Sequence, residues 1–459
     1  MFPRITVFLF LILLSCKGIT QVTPVTDRLD SLMQAVNRIG VFNGNVLVAQ
    51  QGKIIFKRSY GYADGSRTKA LQTDMLFDIG SISKEFNGVA LLLLQEKGLV
   101  NLHDPLRNYL RHLPAWADSV PLATLINYTS GLPLSAAKSD KELETELVNL
   151  PSLAAKPGST YAYSYSNVYL QRQVIEKVTH SNYKTFLEKN FFIPLNMSRS
   201  FVDIPVTDSG VARAFDSDFK ESIYDQQMSG WVRLPIDDLY TWVNALDAYK
   251  VVNRKSIEQL HQSFGDNETS LGDTRLENKA LTWHQHHGSN YNYEALITHD
   301  LKDQTVIILM TNSQQFKVNA ITDAIRAILK GAPYTVPRRS LYLALREKVL
   351  ADPDKGIAFY RDVKLNRQDK YDLSFEIGDL INTGRYIQRR QQYDVAISVF
   401  SLATLLDAKS SDIAFACQLI GECYEKKNMK QFAIQYYQKA VDKDPANKTA
   451  RSALERLVE

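Results

Sequence analysis

Two hairpin patterns lying some 250 positions apart constrain this chain most. In "GNVLVAQQGKIIFKRSYGYAD", apolar and polar residues alternate on both sides of Gln51-Gly52, and "NYEALITHD" and "QTVIILMTN" do so on either side of "LKD" near position 300. Alternation with a period of two, broken by a short turn, is the signature of paired strands. From residue 81 to about 262 the pattern is mostly helical, interrupted by turns such as "TSGLP" and "KPGST". "VNAITDAIRAILKG" closes this region as an amphipathic helix ended by Gly331. Strands at both ends of a helical middle predict an α+β domain whose antiparallel sheet joins distant segments and carries an all-helical insertion.

"APYTVPRRS" places a boundary near Pro337, and strand signals vanish beyond it. Gly421, Tyr424, Ala433, Tyr437, Ala440 and Pro445 then follow tetratricopeptide spacing, with small residues where paired helices approach closely. Gly384, Ile387, Ala396, Phe400, Ala403 and Ala408 repeat the register 37 residues earlier. The expected organisation is a leader over residues 1–20, a mixed domain over 21–336 and an all-α, tetratricopeptide-like domain over 337–459.

The leader, "MFPRITVFLFLILLSCKGITQ", has one early arginine and an apolar run from Ile5 to Leu14, too short to span a bilayer and suited to a signal-peptide core. It predicts an exported protein of the bacterial envelope. "LLSC" resembles a lipobox, which would lipidate Cys16 and anchor the chain to a membrane; cleavage after Thr20 to a free periplasmic form is the alternative. Cys417 and Cys423, six apart in a helical pattern, point to different faces and read as unpaired core residues. The net charge of +4 over 459 residues, with no dense basic run, gives no case for nucleic-acid binding.

Chemistry enters with "FDIGSISKEFNGVALLLLQEKGL", where Ser81 and Lys84 fall three apart at the start of an apolar helix. Neighbours at this spacing meet on a helix surface, and burial near the helix N-terminus lowers a lysine pKa until it can accept a proton. Ser66, Ser135, Ser181 and Ser217 also have a lysine three residues on, so spacing alone does not separate a nucleophile from a helix cap. Two further stretches supply context: Tyr165 and Asn167 stand as Tyr-x-Asn in "KPGSTYAYSYSNVYLQRQVIEKV", and His286 and Gly288 lie on the strand "WHQHHGSNYNYEALI".

In this order, and with "LLLLQEKGLVNLHDPL", "LINYTSGLP" and "FFIPLNM" around them, the three elements resemble the serine β-lactamase and penicillin-binding-protein superfamily over residues 27 to 330, specifically its class C-like, esterase and D-aminopeptidase branch. The resemblance implies a β-lactamase-like fold and a metal-free, cofactor-free acyl-enzyme hydrolase acting on an ester, amide or peptide. Ser81 would be the nucleophile and Lys84 its proton acceptor. Tyr165 would shuttle the proton, its pKa lowered by a charged Lys84, and Asn167 would bond Lys84 or the substrate. The oxyanion would sit between the backbone N–H groups of Ser81 and Ser289. His286 replaces a lysine common at its position and would anchor a substrate carboxylate only weakly, which lowers the expectation of efficient penicillin hydrolysis. Tyr128 stands where a histidine is common. The competing reading is an inactive penicillin-binding-protein-like module that binds cell-wall peptides, its repeats recruiting a protein partner. A metal site at His284, His286 and His287 is a further alternative, with no acidic ligand in a recognised spacing.

Overall fold

The computed structural model describes residues 24–225 and 227–458, so the leader and Cys16 lie outside the described residues. Helix α1 (Val25–Arg38) leads into β1 (Gly44–Gln50) and β2 (Lys53–Tyr60), joined at Gln51-Gly52. Both turn residues have positive φ, 50° and 75°, as a two-residue hairpin matched to strand twist requires. A two-residue strand, β3 (Phe77–Asp78), precedes a single turn at Gly80–Ile82 and the helix α2 (Ser83–Glu96). The helical insertion follows: α3 (Leu122–Ile126), α4 (Asp140–Val148), α5 (Tyr165–Thr179) and α6 (Tyr183–Leu187), then short strands β4 (Phe201–Val202) and β5 (Val232–Leu234), and helices α7 (Ile236–Asp247) and α8 (Arg254–Leu260). Strands β6 (Asp273–Glu277), β7 (Ala280–Asn290), β8 (Tyr293–Asp300) and β9 (Thr305–Thr311) and helix α9 (Val318–Leu329) complete the domain.

The main sheet is antiparallel in the order β2-β1-β9-β8-β7-β6. Its centre joins the ends of the domain, Gly44 opposite Thr311 and Gln50 opposite Thr305. Residues alternate between two cores. Leu47, Ala49, Ile308 and Met310 face the helical insertion. Val46, Val48, Ile307 and Leu309 face α1 and α9. Central strands covered on both sides are therefore buried almost throughout, whereas the edge strand β2 is largely open. The short strands pair as β3-β5-β4 and lie beside the start of α2.

Helices α10 (Leu341–Ala351), α11 (Pro353–Asn366), α12 (Glu376–Gln388), α13 (Tyr393–Thr404), α14 (Ser410–Lys426), α15 (Lys430–Lys443) and α16 (Lys448–Val458) follow, around cores of their own. Gly384 lies against the Phe400 ring and Gly421 against Tyr437, where a Cβ would come within 2.3 and 2.9 Å of ring carbons. These are the small-residue positions singled out in the repeat pattern. Lys317 pairs with Asp372 at 2.5 Å and Lys348 with Asp218 at 3.3 Å, tying this helical part to the mixed domain. Cys417 and Cys423 are unpaired and sit in separate clusters. Among the described residues no helix is long and apolar enough to cross a membrane.

Candidate active site

Residues 82–92 are buried on every side, so α2 runs through the middle of the domain. Ser81, in the turn just ahead of it, is partly open. Its side chain makes no capping bond to the helix. Lys84 Nζ and Tyr163 Oη instead both donate to Ser81 Oγ, each at 2.8 Å. The lysine is 6% exposed, with its ammonium over the Tyr163 ring at 4.8 Å and the Trp231 ring at 6.0 Å. Burial lowers its pKa to about 8, against the opposing pull of Glu268.

The turn is held from three directions. Asp78 accepts from the Gly80 N–H at 2.9 Å and from Asn290 Nδ2 at 3.1 Å, and it pairs with Arg233 at 2.9 Å. Ser83 Oγ accepts from the Val232 N–H at 3.0 Å. Strand β7 presses on the turn at Gly288, where a Cβ would lie 1.9 Å from the Ile79 carbonyl oxygen. At Gly80, with φ of +54°, a Cβ would lie 2.4 Å from the Ser289 nitrogen. Only glycine permits both approaches, and they bring the Ser289 N–H against the nucleophile turn. Strand β6 stops pairing with β7 at Asp273 opposite Gln285, so residues 286–290 keep β8 as their one strand neighbour and offer the other edge.

The structure departs from the sequence reading at three residues. Tyr163, not Tyr165, reaches Ser81. Residues 161–164 approach in extended chain, and α5 starts at Tyr165, so the first helical turn carries that side chain elsewhere. The Tyr165 hydroxyl donates to the Ser229 carbonyl and lies 3.3 Å from Asp140 Oδ1. Nor is the shuttling tyrosine acidified: burial, with Glu268 next in effect, pushes the Tyr163 pKa above its ordinary value, so it stays protonated at neutral pH. Asn167 is buried and accepts from Ser130 Oγ at 2.6 Å while donating to Ser164 Oγ at 3.0 Å, which spends it on bracing the approach to α5. His286 is 2% exposed and turned inward, its Nδ1 2.7 Å from Glu85 Oε1. It presents no cation to a substrate.

His286 belongs to a buried network beneath the site. His284 lies between Asp247 (3.0 Å) and Glu85 (3.1 Å), Glu85 accepts from Trp242 Nε1 at 2.7 Å, and His299 meets Asp247 at 2.7 Å. With a carboxylate on each ring nitrogen, His284 is an imidazolium whose pKa is held well above the ordinary value despite burial. The network pins α2 to α7 and β7. Of His284, His286 and His287, weighed above as an alternative metal site, the first two contact carboxylates on Glu85 and Asp247, and His287 faces the other way onto Glu294. Among the described residues no group of side chains is arranged to hold a metal ion.

Two contributors escaped the sequence reading. Tyr163 stands two residues ahead of Tyr165 in "YSYSN", and each is followed by a serine. Glu268, half-buried in the loop before β6, carries no motif at all. Tyr128, buried and with φ of 57°, packs its ring 4.8 Å from that of Tyr163 and so backs the side chain that reaches Ser81.

Known proteins agree with this architecture. Penicillin-binding protein 4* of Bacillus subtilis is 25% identical over 68% of this chain and 78% of its own. Protein flp of Staphylococcus aureus is 22% identical over 62% of this chain, and the match spans 63% of that relative's length. Among solved structures, a D-amino acid amidase of Ochrobactrum anthropi SV3 superposes with a TM-score of 0.57 at 19% identity, covering 67% of this chain and 99% of the amidase. A class C β-lactamase does so with a TM-score of 0.57 at 19% identity, covering 68% and 97%. At these identities the superpositions speak for the fold. The Beta-lactamase family model matches residues 25–332, and the chain belongs to that family of serine hydrolases and penicillin-binding proteins.

Proposed function

We propose that the protein is a serine hydrolase that works through an acyl-enzyme on Ser81. The observation that carries this reading is the pair of donors on Ser81 Oγ, a buried lysine with pKa lowered to about 8 and a tyrosine hydroxyl, both at 2.8 Å. In its neutral form Lys84 accepts the Ser81 proton as Oγ bonds to the substrate's carbonyl carbon. The N–H groups of Ser81 and Ser289 face the developing oxyanion. Tyr163 passes a proton to the leaving group as its bond to the carbonyl carbon breaks, and is reprotonated from Lys84. Water then attacks the acyl carbon, its proton passing to Lys84 along the same path, and Ser81 recovers a proton on release of the acid. Because His286 is withheld and no lysine takes its place on β7, esters and amides fit better than substrates held by a carboxylate.

The apolar run at Ile5–Leu14 and the bacterial origin of the relatives support an exported, envelope-facing protein, either lipidated at Cys16 or cleaved after Thr20. The helical part after residue 337, with its paired small and aromatic residues, suits a tetratricopeptide-like mount for a protein partner.

The test is intact mass after incubation with a fluorophosphonate, in which the Ser81 oxygen bonds to phosphorus and fluoride departs. One adduct is expected on the parent and none on Ser81→Ala. An adduct that persists in the variant, or a folded parent that takes none, refutes the assignment.

A further inference from the structure

The cleft between the mixed domain and the helices that follow it holds about 870 Å³, and a second cavity of about 250 Å³ adjoins it, with Asp216, Ser217 and Arg339 in the walls of both. Ser81, Lys84 and Tyr163 line neither, so this space is separate from the nucleophile. Four segments bring arginines to its walls. Arg38 ends α1, Arg67 lies in the turns after β2, Arg339 precedes α10 and Arg390 follows α12.

Three of these arginines rest on rings. The Arg67 guanidinium lies 4.2 Å from the centre of Phe219, that of Arg339 5.3 Å from Tyr371 and that of Arg390 3.6 Å from Tyr386. Stacking holds a guanidinium in place and leaves its N–H edge open to an acceptor. Arg390 gives one donor to the Tyr386 carbonyl at 3.0 Å, and Arg339 Nε is buried with no partner. Among the described residues none of the four arginines has a carboxylate partner. The carboxylates in the same walls are spent elsewhere. Asp218 pairs with Lys348 at 3.3 Å, Glu221 with Arg213 at 3.2 Å, Glu347 with Arg346 at 3.2 Å and Asp225 with Lys138 at 3.8 Å. Asp216 accepts the N–H groups of Asp218 and Lys220 at 2.8 and 2.9 Å. Even with Asp216 set against the four guanidinium groups, positive charge remains in excess. Charges offered from several segments match an anion with several charged groups, and phosphate oxygens accept from a guanidinium fork in bidentate fashion.

We propose that this cleft binds a multiply charged phosphate ligand of the oligophosphate class, held by Arg67, Arg339 and Arg390. The first belongs to the mixed domain and the last to the helical part, with Arg339 between them, so the site is complete only while the two parts are docked and its ligand fastens one to the other.

The test is calorimetric titration of the full chain with tripolyphosphate and with monophosphate at matched ionic strength, alongside thermal melts. Tripolyphosphate is expected to bind at least about tenfold more tightly than monophosphate and to raise the melting point, and added salt should weaken it. Arg67→Gln and Arg390→Gln, both at exposed positions, should each weaken it about tenfold, as the loss of a charge-assisted bond does. Arg107→Gln, whose arginine pairs with Asp118 and lines neither cavity, should bind as the parent does. Fluorophosphonate labelling of Ser81 at the parent rate shows that a variant is folded. Absence of binding by calorimetry and melts alike overturns the inference. So does equal affinity for the two phosphates, or affinity that survives both cleft variants, or an Arg107→Gln loss as large as theirs, which would mean diffuse surface charge.

Discussion

Replacing each of two tyrosines, two residues apart, by phenylalanine separates the geometry from the motif. Tyr163 Oη donates to Ser81 Oγ at 2.8 Å, and the residue is 37% exposed. Its hydroxyl is therefore cheap to lose for the fold, under about 1 kcal/mol as one net hydrogen bond near solvent. In the reaction it moves a proton, a role that contributes about 10² to 10⁴ in rate, or about 2.7 to 5.4 kcal/mol of barrier. Tyr165 has the opposite profile. Its hydroxyl serves the Ser229 carbonyl and faces Asp140, both part-buried, so Tyr165→Phe leaves them short of a donor at a cost of about 1 kcal/mol. Its ring, stacked 6.1 Å from Trp231, is preserved by the substitution. Acylation rates with a fluorophosphonate and an activated ester, together with thermal melts, give the comparison. Tyr163→Phe should lose at least about a hundredfold in acylation with its melting point nearly unchanged. Tyr165→Phe should melt lower and acylate within about one order of magnitude of the parent. A hundredfold loss in Tyr165→Phe beside near-normal Tyr163→Phe would refute the site geometry and restore the motif reading.

Lys84 gives two further predictions from one cause. Acylation should rise with pH to a plateau, with a midpoint near 8, because only the neutral amine accepts the serine proton; a profile flat from pH 6 to pH 9 would contradict this. The folded pKa lies below the unfolded value of about 10.4, so the protonated lysine destabilises the fold below pH 8, and the cost fades as pH rises from about 8 to 10.4. Lys84→Met should therefore abolish labelling while raising stability at pH 7 by up to about 3 kcal/mol in denaturant titrations, and a loss of stability would mean that the contacts to Ser81 and the aromatic rings outweigh the desolvation cost. Glu85→Ala leaves the Nε2–H of the His284 imidazolium and the Trp242 N–H without their acceptor, with Asp247 alone left to balance the buried charge, and chemical denaturation should show a loss of about 3 to 5 kcal/mol. A loss below 1 kcal/mol would mean the network is not what pins α2 to β7.

How far the sequence could be read follows from which contacts are local. Both hairpins and the α+β class were legible because strand alternation and turn residues are written within a few positions, and the distant pairing of β1 with β9 followed because an apolar strand must find partners. Ser81 and Lys84 meet through one helical turn, so their 2.8 Å contact was implicit in their spacing once a strand and glycine preceded them. Tyr163 and Tyr165 could not be told apart in the same way. Each is followed directly by a serine, and what separates them is the residue at which α5 begins, with Asn167 bonded to Ser130 and Ser164 rather than to the site. His286 failed for a different reason. A period of two places 284, 286 and 288 on one face of β7, but which face meets α2 depends on Gly288 against Ile79 and on two carboxylates, Glu85 and Asp247, that lie 201 and 37 positions from their histidines. Glu268 is the extreme case. Its neighbours Thr269 and Ser270 are held by contacts to Ile126 and Gly88 that no local pattern records, so the place of this loop in the fold could not be read from its own residues. Fold and nucleophile are therefore local readings in such a chain, and the groups that surround the nucleophile are a tertiary one.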